Sequence, residues 1–178
     1  MSLPLFESFL TTTEMSDVFD DVNVVQAMLD FEAALAQAQA QEGLISNETA
    51  TIITAHCTAE NFNIPELVVA ARRAGSMAIP LVKALTQAVA SQNKEAATKV
   101  HWGSTSQDVI DTGSVLVTRQ ALQVIDNDLA PLCARLLDLA EAHIQTPVLA
   151  RTLMQPAQTT TLGFKMVNWA APLVRSRQ

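Results

Sequence analysis

The chain has 178 residues, 49% of them hydrophobic, with five glycines, no tyrosine and a formal net charge of −7. That length suits one ordinary domain with enough apolar content to bury a core. An acidic chain is a poor partner for nucleic acid, and no run approaches the ~20 apolar residues of a membrane helix. MSLPLFESFL, at the N-terminus, has neither the basic lead nor the apolar run of a signal peptide, so a soluble, cytoplasmic protein is expected. Charge is unevenly spread: residues 1–71 hold eleven Asp and Glu and no Lys or Arg, whereas 72–178 hold all eleven Lys and Arg against seven acids. An anionic ligand would therefore be held by the second part, near Arg72, Arg73, Lys83, Lys99, Arg151 or Lys165.

Alanine, leucine and glutamine favour helix over strand. Residues 20–45 carry Val24, Val25, Met28, Phe31, Leu35 and Ala38 at helical spacing, with Gly43 as terminator. Ser46 opens a second helix. Asn63 is placed as the N-cap of a third, with Pro65 and Glu66 in its first turn and Gly75 past its end. IPLVKALTQAVASQ forms another, with Pro80 in its first turn. From Ser106 to about Gln145 apolar residues from Val109 to Ile144 step at threes, fours and sevens. Pro131 either kinks one helix or separates two. A helix of up to ~40 residues greatly exceeds the globular average and points to a bundle packed against other subunits. TPVLARTLMQPAQTTT reads as a loop, without strand alternation, leading into LGFKMVNWAAPLVRSRQ. That last helix runs out with no C-cap glycine, as at the front part of something longer. Two domains are expected, residues 1–104 and 105–178. Cys57 and Cys133 lack metal or redox spacing and read as buried thiols in a reducing compartment. No glycine-rich phosphate loop or metal pattern is present, so neither a cofactor nor a metal is expected.

Two polar islands stand out. In KVHWGSTSQDVIDT, Ser104 with Gln107 and Thr105 with Asp108 fit capping boxes. Capping alone does not account for His101, Trp102 and Gly103 upstream, nor for the third hydroxyl, Ser106. A helix N-terminus offers free N–H groups and partial positive charge to a carboxylate, and His101 adds a donor or a proton. In ARTLMQPAQTTTLG, Arg151 suits planar recognition of a carboxylate while Thr152 and Gln155 orient it, and the last threonine caps the next helix. The islands flank one long helix whose ends would lie ~50 Å apart at 1.5 Å per residue. Antiparallel long helices from different subunits would bring opposite ends together, which predicts an oligomer.

HWGSTSQDVIDT resembles the first signature region of the fumarase/aspartase superfamily of helical lyases, and RTLMQPAQTTTLG resembles its second. Within that superfamily, LDFEAALAQAQAQEGLI, AIPLVKAL and HWGSTSQDVIDT are most similar to the bacterial cycloisomerase branch. The resemblance covers essentially the whole chain. It implies an all-α, long-helix bundle fold, here a small helical N-terminal domain plus the start of the central bundle. It further implies a homotetramer with active sites shared among three subunits, and a small anionic polycarboxylate substrate. The implied reaction, in the catabolism of aromatic compounds, adds a carboxylate oxygen to a conjugated double bond without a cofactor and closes a lactone. By the same resemblance His101, Thr105 and Ser106 are the catalytic candidates, and Ser104, Gln107, Arg151, Thr152 and Gln155 bind substrate.

Two departures matter. Lyases of the superfamily commonly read R-T-H in the second region, with the histidine as an acid/base group; this chain has Leu153. That counts against a C–N lyase of the adenylosuccinate type and leaves His101, or more weakly the helix-tail His143, as proton-transfer candidates. The third signature, G-S-S-x-M-P-x-K-x-N, does not occur in these residues, so the isolated segment is expected to be inactive. Beside the cycloisomerase stand two alternatives: the C–N lyase, and a non-catalytic helical oligomerisation module whose islands are only caps.

Overall fold

The computed structural model describes residues 8–178, so the first seven residues of the MSLPLFESFL stretch lie outside the described residues. The elements run α1 (Thr13–Val18), α2 (Asp21–Gln41), α3 (Asn47–His56), a 3-10 turn (Ala59–Asn61), α4 (Ile64–Ala74), α5 (Ala78–Gln92), α6 (Lys94–Ala97), α7 (Ser106–Ala142), β1 (Pro147–Thr152), β2 (Gln155–Thr161) and α8 (Leu162–Ser176). The chain forms two compact units that meet at Ala121/Leu122, within α7. Among the described residues, no helix is long and apolar enough to cross a membrane.

In the first unit, local chemistry sets the helix ends. Asp20, Ser46 and Asn63 each accept a first-turn N–H at the starts of α2, α3 and α4. Gly43 and Gly75 take positive φ just past the ends of α2 and α4, where a side chain would be strained. The core gathers Val25, Met28 and Leu29 of α2, Ile53 of α3, Leu81, Leu85 and Val89 of α5, and Val109 of α7. The buried stripe of α2 is turned from the one the apolar residues predict: Leu35 is half-buried and Ala38 exposed. The stripe runs instead through Val25, Leu29, Glu32, Ala36 and Gln39, so two polar residues occupy core positions. Cys57 is a buried free thiol in this unit and Cys133 another in the second.

In the second unit α7 continues unbroken through Pro131, which deprives the helix of one N–H without ending it. Residues 147–161, expected as a loop, pair instead as an antiparallel hairpin, with Thr152 opposite Gln155 and Arg151 opposite Pro156. β-Branched Val148 and Thr159 to Thr161 suit strands. Leu153 and Met154 close the two-residue turn with φ of 46° and 63°. Such turns normally announce themselves by Asn-Gly; Leu-Met gives no such signal, so the hairpin was hidden in the sequence. Thr161 then caps α8, accepting from the Phe164 N–H at 3.2 Å, and Gly163 sits directly against the carbonyls that end α7.

Candidate functional site

The 98–105 segment turns sharply into α7, with φ of 57° at His101 and 76° at Gly103. Lys99 stacks its ammonium 4.7 Å from the centre of the Trp102 ring. At the start of α7 the cap is Asp108: its Oδ2 accepts from the Thr105 N–H at 2.9 Å and the Ser104 hydroxyl at 3.2 Å. This is the reciprocal half of the Thr105–Asp108 box. The Ser104–Gln107 box does not form, because the Gln107 amide reaches down one turn to Asp111. The hydroxyls of Thr105 and Ser106 make no hydrogen bond to the described residues. They are left over from capping and open to a ligand, beside a helix N-terminus whose dipole favours an anion.

His101 is anchored from below. Its Nδ1 lies 2.6 Å from Oε1 of Glu32, which is 1% exposed. Burial raises the Glu32 carboxyl above its usual range, and the imidazole of His101 pulls it partly back. Two helical turns on, the Gln39 amide donates to the Trp102 carbonyl at 2.6 Å. Neither residue figures among the sequence candidates, although both fall in phase with Val25, Leu29 and Ala36, which marks them as inward-facing polar groups. Cys57 lies under the same influence: burial, then the Glu32 and Asp30 charges, push its thiol up to about 12.

The hairpin places Arg151, Thr152 and Gln155 together at its tip, all exposed. Its register sets Thr152 and Gln155 on one face and Arg151 on the other. Arg151 instead shares a cleft of about 460 Å³ with Lys165, Asn168 and Trp169 of α8. Lys165 lies 5.4 Å from the centre of the Trp169 ring. Sequence reasoning flagged Lys165 for its charge but missed Asn168 and Trp169, which reach the cleft only because the hairpin folds onto α8. His143 follows the last residue of α7, with Nδ1 3.2 Å from the Thr146 hydroxyl. Leu153 crowns the turn, 93% exposed, with an apolar side chain where the superfamily's acid/base histidine is expected.

The first unit thus presents uncommitted hydroxyls at a helix N-terminus beside an imidazole held by a buried carboxylate, and the second unit presents an arginine–lysine cleft. The family model described as Lyase matches residues 8–178, and the chain belongs to that family, with a fold of the fumarase/aspartase type. It is 44% identical over 178 residues to 3-carboxy-cis,cis-muconate cycloisomerase of Pseudomonas putida, all of this chain against 42% of that protein. It is 45% identical over 174 residues to the Bradyrhizobium diazoefficiens protein of the same name, 98% of this chain against 39% of the relative. The crystal structure of the 3-carboxy-cis,cis-muconate lactonizing enzyme from Pseudomonas putida superposes with a TM-score of 0.91 at 44% identity, covering 98% of this chain and 40% of that one. The chain thus spans about two-fifths of the length of these relatives.

Proposed function

We propose that this chain supplies the N-terminal portion of a cofactor-independent cycloisomerase converting 3-carboxy-cis,cis-muconate to 4-carboxymuconolactone. One substrate carboxylate oxygen forms a C–O bond to the conjugated double bond, and the adjacent carbon takes up a proton, so the product is an isomer. Negative charge builds on a second carboxylate as the bond forms, and fixed donors that meet it there lower the barrier. Ser104, Gln107 and the first turn of α7 bind carboxylate in this reading, Thr105 and Ser106 donate to the developing charge, and His101 moves the proton. The hairpin supplies the second group of binding residues, Arg151 from one face and Thr152 with Gln155 from the other. The observation that carries the reading is that Thr105 and Ser106 stay uncommitted while Asp108 does the capping. The full-length protein is read as a cytoplasmic homotetramer whose sites combine islands from different subunits, with residues 105–178 entering the shared bundle.

The test is the ultraviolet absorbance of 3-carboxymuconate, which should fall when micromolar full-length protein is added; no fall overturns the assignment. Thr105→Ala should lower kcat by ~100-fold, the usual cost of one preorganised donor, and Arg151→Ala should raise KM. Fumarate release from adenylosuccinate would favour a C–N lyase instead, against the sense of Leu153. Unchanged kinetics in both variants would reduce the islands to helix caps.

A further inference from the structure

Glu32 is a costly residue where it stands. It sits in the apolar stripe of α2 between Leu29 and Ala36, and its Oε2 has no hydrogen-bond partner among the described residues. A leucine there would pack without the expense of desolvating a carboxyl group. Among the described residues it turns to His101, whose Nδ1 lies 2.6 Å from its Oε1. His101 is itself strained, with φ of 57°, a left-handed backbone unfavourable for a residue with a Cβ. Such strain persists only where surrounding contacts over-determine it. Two buried α2 side chains do so here: Glu32 holds the ring, and Gln39 holds the next carbonyl at 2.6 Å.

We propose that Glu32 is a positioning residue: by taking Nδ1 of His101 it fixes the ring plane and leaves Nε2 as the only ring nitrogen for a bound ligand. Nε2 makes no hydrogen bond to the described residues, and the ring is partly exposed. With Nδ1–H donating to Glu32, the Nε2 lone pair can accept a proton and return it to a substrate carbon. The buried carboxylate then faces the positive charge that the ring carries in between. This rests on the cycloisomerase reading and adds to it a residue one layer below the substrate, 69 positions from the histidine it aims.

The test uses Glu32→Leu, Glu32→Met and Glu32→Gln. In 15N NMR of the imidazole nitrogens of the full-length protein, the His101 signals are identified as those lost in His101→Gln. Wild type should show a single Nδ1–H tautomer. Glu32→Leu should show the ordinary mixture, without loss of melting temperature. In the full-length protein Glu32→Leu should lower kcat by ~10–100-fold, the range typical of groups that orient a catalytic side chain, while KM changes by less than about threefold. Should the leucine variant fail to fold, Glu32→Met, similar in length and without a strong acceptor, is read the same way. Glu32→Gln, whose Oε1 still accepts from Nδ1–H, should keep the single tautomer and lose only the charge that faces the ring. Identical imidazole patterns in wild type and the leucine or methionine variant, or a kcat within twofold of wild type in either, would overturn the proposal. If wild type shows no lactonisation, the functional reading fails separately, and the NMR comparison still decides whether Glu32 sets the ring.

Discussion

At the scale of single residues, burial decides chemistry that residue type leaves open. Cys57 could be a nucleophile by composition, but its thiol is pushed up to about 12, chiefly by burial, so it stays protonated and inert at neutral pH. The folded state holds that proton more tightly than the unfolded chain, whose thiol titrates near 9.0. The stability this confers is therefore complete below about pH 9 and is lost as pH rises towards 12. Between pH 9 and 11 the wild type should lose up to ~1.4 kcal/mol per pH unit more than Cys57→Ala. Urea midpoints at the two pH values check this, and parallel losses in both proteins would refute it. His101 teaches a similar lesson. Its presence in HWGSTSQ is plain in the sequence, but its partner comes from α2 and is found only by noticing that Glu32 shares the phase of the apolar stripe.

For whole elements, the interplay of local propensity and packing sets the outcome. Gly163 lies in the first turn of α8, where helix propensity alone makes Gly163→Ala a gain of ~0.5–1 kcal/mol. A Cβ there would run into the carbonyl oxygens of Ala140 and His143 at the end of α7. Overpacking against rigid backbone costs ~1–3 kcal/mol, so the expected sign is a net destabilisation, read as a lower melting temperature. A stabilised variant would show that the α7–α8 corner is loose. Four capped helices, α2, α3, α4 and α8, were legible, because Asp20, Ser46, Asn63 and Thr161 act within three residues of themselves. The short α1 and α6, capped by Thr12 and Asn93, were not, because they carry too few residues to show a helical period. The hairpin was not, because its turn is built from Leu153 and Met154, whose left-handed backbone no local rule favours.

On the scale of the whole molecule, exposed apolar side chains set the terms. Val115, Leu122, Ile125, Leu132 and Leu137 of α7 all stand exposed, Leu122 at 59%. A ladder of this kind along one long helix marks a surface that other helices cover. On the proposed tetrameric reading, full-length protein should sediment as a tetramer, and Leu122→Glu with Ile125→Glu should shift it towards smaller species by burying charge at the contact. A wild-type monomer in sedimentation velocity would sink the shared-site reading. Charge argues the same way. The α7 start carries Asp108 and Asp111 with Lys99 as its nearby cation, whereas Arg151 and Lys165 share the hairpin cleft. On the proposed cycloisomerase reading, an anionic substrate gains most where donors of the first kind meet cations of the second across subunits.

Read alone, the sequence determined the helical class, the ends of most helices, the long α7 and the two islands. These follow from periodicity and capping, which act over a few residues of chain. Tertiary structure alone decided that Asp108 rather than the hydroxyls caps α7, freeing Thr105 and Ser106. It also decided that residues 147–161 pair as strands, and that KVHWGSTSQDVIDT is pinned from beneath by Glu32 and Gln39. The physical reason is distance along the chain: a hydrogen bond between residues 69 positions apart leaves no local trace, and appears only when the α2 stripe is folded inward.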